Sequence, residues 1–446
     1  MDEKATGAAT LKALRVRRGL SLADTARVLI SISQRLGRPG GSLPTVAGLQ
    51  RSVARWESTR PSLPDAHHQL LLAHLYGRTP AGTIALGVGS DFAELLDALA
   101  HLGESATRLT ELRSMLVRTA TDQGGGMLAL LSTNVQAGLS AALADPSLAD
   151  DEVVPALSAV VSDVNAQVGS LPFVRLQLLL APALEACRRL TADAVPEALL
   201  PRLRGVSVAA HTLAGRLAFE TRDDVASRAL YTVATREAGL LPDPWRRATV
   251  HMSHALTTLY STQGLDRART LADAAVRDAC GGGSVVVRAR AHALRAEIAA
   301  RAGEQRQAQA ALGLARYDLE CDHSGDPAAS SFSPGHLRGF EGVCELYVGD
   351  AARAHDRFVK AAGAMVAPRE QVQRAITATD QALARIRMGD PRSAADLLHE
   401  CVLGMATTGG RVPSIRLRRA RRELRPWRRE HWAVDLDDHL MDVLGS

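Results

Sequence analysis

Three times in the second half of the chain, small residues recur at the same distances from a turn. Gly303 is followed at +5, +9 and +12 by Ala308, Leu312 and Ala315, Gly349 by Ala354, Phe358 and Ala361, and Gly389 by Ala394, Leu398 and Cys401. Gln263, beside Gly264, gives a looser copy with Ala268, Ala272 and Ala275, and Asp223-Asp224 with Ala226 and Leu230 reads as a degenerate fifth. Small residues at helical spacing let antiparallel helices approach closely, and Gly or Gly-Asp makes the turn between them. A period of 39 to 46 residues in this register means stacked helical pairs, an α-solenoid, whereas a plain bundle has no need to repeat its register.

Composition agrees with an all-α chain. Aromatics are only 3% of the 446 residues, so the core is built from Leu, Ala and Val, which suits close helix packing better than a β-sandwich. Lysine is confined to Lys4, Lys12 and Lys360, a skew that reflects a GC-rich genome rather than a binding function. The net charge of +5 is unevenly spread: residues 1–80 carry +7, residues 411–430 another +7, and the remainder −9. A basic end on a mildly acidic body suits nucleic-acid contact by that end. Cys187, Cys280, Cys321, Cys344 and Cys401 show no CxxC spacing, and no targeting segment follows Met1, so reduced thiols in the cytoplasm are expected. No run of 18 apolar residues exists to span a membrane.

Within the basic N-terminal stretch, residues 49–57 read as a short helix with two faces. Val53 and Trp56 are three apart and share a side, while Gln50, Arg51 and Arg55 fall on the other. Gln pairs with adenine and Arg with guanine through two hydrogen bonds each, which is the chemistry of a DNA-reading helix. Upstream, Leu11, Leu14 and Val16 form a helix closed by Gly19, and Ser21 three before Asp24 opens another in the manner of a capping box. Residues 38–44 are a Gly/Pro-rich loop, Thr45 or Ser42 caps the helix that follows, and Pro61 and Pro64 break the chain before a leucine-rich helix from about Asp65.

Gly19-Leu20-Ser21, Arg55-Trp56-Glu57 and Pro64, with the leucine-rich helix after them, resemble the N-terminal domain of the XRE family. Its five-helix helix-turn-helix fold is shared with lambda-like phage repressors. The resemblance makes the 49–57 helix the recognition helix, with Gln50, Arg51 and Arg55 reading bases, Val53 and Trp56 packing it, and Ser52 facing the backbone or a base. It also implies Arg15, Arg18 and Arg60 as phosphate contacts, which give affinity and register. Two departures stand out. The short turn before the recognition helix is replaced by a longer segment from Ser31 to about Thr45, whose Arg35 and Arg38 either form a wing on DNA or sit in a solvated loop. Thr59 stands where the family has Gly, so the helix is expected to end differently.

The expected organisation is a helix-turn-helix domain over 1–80, a Gly-rich linker over 81–90, a helical dimerisation or linking region over 91–220, and repeats over 221–446. Helices in the linking region are expected near 91–102, 105–120, 125–144, 150–168, 173–192 and 195–220. The repeat offsets resemble the tetratricopeptide repeat. The basic helix 414–427, ended by Pro426, resembles the capping helix of actinobacterial regulators that join an XRE domain to such repeats.

No phosphate-binding GxxxxGK[ST] loop and no HExxH is present. His251 and His254, three apart, lack a third metal ligand, Cys321 and His323 lack a second pair, and no Ser/His/Asp triad can be assembled. No cofactor and no enzymatic activity are expected. The residues and the resemblance together imply a DNA-binding transcriptional regulator that meets double-stranded operator DNA as a homodimer. Its repeats would mediate dimerisation and sense a peptide, small molecule or protein partner. The alternative is a tetratricopeptide-like interaction scaffold whose DNA-binding domain is weak or degenerate.

Overall fold

The computed structural model describes residues 3–35, 45–80, 82, 84–122, 131, 133–192, 195–261, 264–365 and 370–444. Among these residues there are twenty-one α-helices and no β-strand, so the all-α expectation holds. No described helix is long and apolar enough to cross a membrane. The chain divides into two units, Met1–Ala156 with Ala181–Ala194, and Leu157–Leu180 with Val195–Ser446.

The first unit begins with α1 (Glu3–Arg17), α2 (Leu22–Arg35), α3 (Val46–Trp56), α4 (Ala66–Tyr76), α5 (Asp91–His101), α6 (Ala106–Asp122) and α7 (Thr133–Ala144). Their ends follow local chemistry. Gly19 leaves α1 at φ +67°, a conformation that costs glycine nothing. The Ser21 hydroxyl accepts from the Asp24 amide at 3.1 Å while the Asp24 carboxylate accepts from the Ser21 amide at 3.2 Å, the two-way cap expected from their spacing. Thr45 caps α3 by accepting from the Gly48 amide at 3.2 Å, and Asp65 caps α4 by accepting from the His68 amide at 2.9 Å. One core then gathers Leu11 and Leu14 of α1, Leu29 of α2, Leu49, Val53 and Trp56 of α3, and Leu71, Leu72 and Tyr76 of α4.

That core does not stop at residue 80. Ile84 and Leu86 are buried in it, and so are Phe92, Leu95 and Leu99 of α5 and Leu112 and Leu116 of α6. Within the expected linker at 81–90, residues 84–86 are therefore packed, and α5 shares this core with the N-terminal helices. Gly7 is the reason α1 and α5 approach so closely: a Cβ there would lie 2.6 Å from the Ala98 carbonyl oxygen.

Two helices, α8 (Val153–Ala166) and α9 (Phe173–Ala192), contribute residues to both units. The rest of the second unit is a series of antiparallel pairs. These are α10 (Leu200–Glu220) with α11 (Asp224–Gly239), α12 (Pro244–Leu259) with α13 (Gly264–Cys280), and α14 (Val285–Arg301) with α15 (Gln305–Glu320). They continue as α16 (Pro334–Val348) with α17 (Ala351–Ala364) and α18 (Gln371–Arg387) with α19 (Pro391–Thr408). The first helix of each pair also packs on the first helix of the next, ending on α20 (Arg411–Glu423).

Every residue read at +5, +9 and +12 from Gly303, Gly349, Gly389 and Gln263 is buried, although Gln263 itself lies outside the described residues. The fifth copy sits one residue away from its expected place. Arg222, at φ +70°, holds the turn position that Gly303 and Gly389 hold at φ +80° and +81°. Ser227, Tyr231 and Ala234 at +5, +9 and +12 from Arg222 are buried, whereas Ala226 and Leu230 are only half-buried.

Facing residues in these pairs are matched in size. Where Gly215 and Gly342 lie seven before the turn, the +9 residues are Tyr231 and Phe358. A Cβ on either glycine would fall 3.0 Å from the Tyr231 ring or 2.6 Å from the Phe358 ring. Ala296 and Ala382 at the same position go with Leu312 and Leu398, each couple sharing one core. Leu256 goes with Ala272. Large meets small in every copy.

The chain also folds on past the basic helix. Helix α20 ends at Glu423, a short 3-10 turn covers Arg425–Trp427, and a further helix, α21 (His431–Leu444), packs on α19 and closes the unit.

Candidate nucleic-acid interface and internal cavity

Leu49, Val53 and Trp56 follow one another at i, i+4 and i+7 on α3, and all are buried. The opposite face shows Ala47, Arg51, Ala54 and Arg55 to solvent, with Gln50 half-buried beside them. Arg51 reaches back to the Ala47 carbonyl at 3.3 Å, a contact easily exchanged, and the Arg55 guanidinium has no partner among the described residues. The flanking alanines leave the helix backbone open to close approach. No acidic residue occupies the first turn, so the positive end of the helix dipole is not neutralised. Ser52 turns its hydroxyl back to the Gly48 carbonyl at 3.4 Å.

The end of α3 needs no left-handed residue, which is why Thr59 is accommodated. The Glu57 amide bonds back to the Val53 carbonyl, and the Ser58 hydroxyl donates to the Arg55 carbonyl at 2.9 Å. Among described non-glycine residues only Arg222 has positive φ.

The expected phosphate contacts divide. Arg60 is exposed. Arg15 is built into the fold: its Nε donates to both Glu57 oxygens at 2.8 and 3.1 Å, its Nη2 to Oε2 at 2.7 Å and its Nη1 to the Leu20 carbonyl at 2.9 Å. The side chains are only 12% and 8% exposed, and the Glu57 carboxylate holds the Arg15 pKa above its ordinary value. Arg18 is withdrawn in the same way, onto Asp91 and the Arg78 carbonyl, with its guanidinium over the Tyr76 ring. Both guanidiniums are already paired and largely desolvated, and a group so held has little left to offer an anion. Of Arg35 only the backbone is described, and Arg38 lies outside the described residues.

The tail arginines divide as well. Arg411 pairs with Asp224 at 2.5 Å and lies over the Phe219 ring, and Arg419 donates to the Tyr347 hydroxyl. Arg416 is buried between Asp380 and the Tyr260 hydroxyl. Burial opposes its charge, but Asp380 and Tyr260 outweigh that and raise its pKa. Arg418 and Arg422 remain outside.

Arg416 borders a cavity of about 470 Å³ within the second unit. Its apolar wall includes Leu256, Phe332, Phe340, Val343 and Ile376. Four carboxylates line it, and each has a partner. Glu220 accepts from the Val412 amide at 3.1 Å, and burial raises its pKa. Glu297 holds Arg301 at 2.7 and 2.9 Å, Asp380 holds Arg416, and Glu370 stands 3.3 Å from His336 Nε2. Two further arginines line the same space: Arg216, whose charge favours the Glu220 carboxylate near it, and Arg290, which makes no hydrogen bond or ion pair among the described residues. Nothing in the sequence reading singled them out. The signal available in the sequence was a charge set among alanines, as Arg290 is between Ala289 and Ala291.

His251 and His254, three apart in the sequence, make separate contacts. His251 stands 3.5 Å from Asp278, and His254 stacks on the Tyr231 ring at 4.5 Å. No group of three His, Cys, Asp or Glu among the described residues is placed to hold a metal ion. No protein-family model matches the chain, and a comparison with curated proteins finds no significant relative.

Proposed function

We propose that this protein is a cytoplasmic, sequence-specific DNA-binding transcriptional regulator of the XRE type. In this reading α2 and α3 form a helix-turn-helix, and α3 enters the major groove with Gln50, Arg51 and Arg55 toward base edges and Arg60 toward phosphate. The observation that carries the proposal is the division of α3: one face wholly buried, the other a strip of alanines and arginines without strong partners. The second unit is then a tetratricopeptide-like solenoid that supplies the homodimer contact and senses a ligand, which would act by favouring one dimer geometry over another. Neither a cofactor nor catalysis enters this reading.

Selection of bound fragments from random DNA by the purified full-length protein tests it. Enrichment of a two-fold-symmetric site, with binding that weakens steeply as salt rises, is the expected result. The withdrawal of Arg15 and Arg18 favours one competing reading, an interaction scaffold with a weak DNA-binding domain. Binding indifferent to sequence would uphold that reading instead.

A further inference from the structure

A buried guanidinium without a counter-charge is costly, because the desolvation of the cation is not offset by attraction. Proteins usually remove such a group or pair it, and this one does so at Arg301 and Arg416. Arg290 is the exception. It borders the cavity beside Arg216, and burial and then repulsion from Arg216 disfavour its charge. Glu220 serves Arg216 and the Val412 amide, and the other carboxylates of the cavity are held by Arg301, Arg416 and His336. The space has room for a small organic molecule, and its wall is apolar on one part and cationic on another.

We propose that this cavity binds a small amphipathic anion, its acidic head between Arg216 and Arg290 and its apolar body against Phe332, Phe340 and Ile376. The head group is a carboxylate or a phosphate, since guanidinium groups bind both with paired, charge-assisted hydrogen bonds. A cationic ligand would add a further like charge, and a wholly neutral one would leave Arg290 unmatched. The proposal rests on the regulator reading only for what occupancy is used for, and it gives the sensed signal a chemical class.

The test is calorimetric titration of the full-length protein with octanoate, octyl phosphate and octanamide, which share an apolar body and differ in the head. At least one anion binds, octanamide binds roughly tenfold more weakly or worse, and Arg290→Gln or Arg216→Gln removes that difference. The stronger of octanoate and octyl phosphate identifies the head group. Without ligand, Arg290→Gln unfolds at a temperature no lower than the wild type, because it loses an unpaired charge. Three results would each overturn the proposal: equal binding of octanamide and the anions, no binding of either anion at millimolar concentration, or marked destabilisation by Arg290→Gln with no ligand present. The two readings fail separately. An anion bound by a protein that selects no DNA sequence leaves the cavity site standing and removes the regulator, and the converse pattern does the reverse.

Discussion

The size matching between paired helices is open to a direct test at Gly342 and Phe358. A Cβ at residue 342 would lie 2.6, 2.7 and 3.0 Å from three atoms of the Phe358 ring, which is 1% exposed and has nowhere to retreat. Overpacking of this kind costs about 1–3 kcal/mol, against which alanine returns about 1 kcal/mol of helix propensity. Gly342→Ala alone is therefore destabilising by up to about 2 kcal/mol. Phe358→Leu alone costs about 1–2 kcal/mol for the volume it empties, less than a full truncation to alanine. Together the two recreate the Ala–Leu couple that residues 296 and 312 already form, so the double variant regains about 1–3 kcal/mol over the sum of the singles. Urea unfolding of the full chain, followed by circular dichroism, measures the three values. Hydrogen exchange in α16 and α17 locates the change. Additivity within about 0.5 kcal/mol would refute the reasoning, since it would mean that ring and Cβ never compete for the space.

Arg51→Ala and Arg55→Ala are each expected to weaken binding to a selected operator by about 1–3 kcal/mol and to relax base preference at one position. Unchanged affinity in both would remove α3 from the reading role. Glu57→Gln leaves the largely buried Arg15 guanidinium without its counter-charge and costs about 2–4 kcal/mol, seen as faster amide exchange in α1 and α3. The double variant Arg15→Met with Glu57→Leu recovers most of that loss, whereas a bridge contributing as little as a surface pair would cost under about 1 kcal/mol. Burial, with Arg267, His251 and Arg228 nearby, depresses the His254 pKa from 6.5 to about 4. As pH falls, the unfolded chain takes up that proton first. Stability present above about 6.5 is thus lost between there and about 4, by at most about 3 kcal/mol. A urea-midpoint series across that range checks the slope, and His254→Phe should flatten it.

Local chemistry was legible in the residues themselves. Gly19, Ser21 with Asp24, Thr45 and Asp65 mark helix ends through bonds that reach no farther than a few positions, and all four do so in the structure. The spacing of Val53 and Trp56 declared the buried side of α3, and the offsets from Gly303, Gly349 and Gly389 declared the small residues that pack. What spacing could not say is which charged residues are drawn inside. Arg416 is enclosed by Tyr260 and Asp380, distant in sequence, while Arg418 two positions on stays in water. Likewise Glu57 claims Arg15, and Asp91 claims Arg18.

The same limit hid the packed segment 84–86, whose glycine-rich surroundings resemble a tether until α4, α5 and α6 enclose it. It also hid the true register at Arg222, because a turn that most copies make with glycine is here held by an arginine at positive φ. Helix and cap are consequences of one stretch of chain, and the sequence determined those. Burial, pairing and the unpaired Arg290 of the cavity depend on what other helices bring to the same place, and only the tertiary structure decided them.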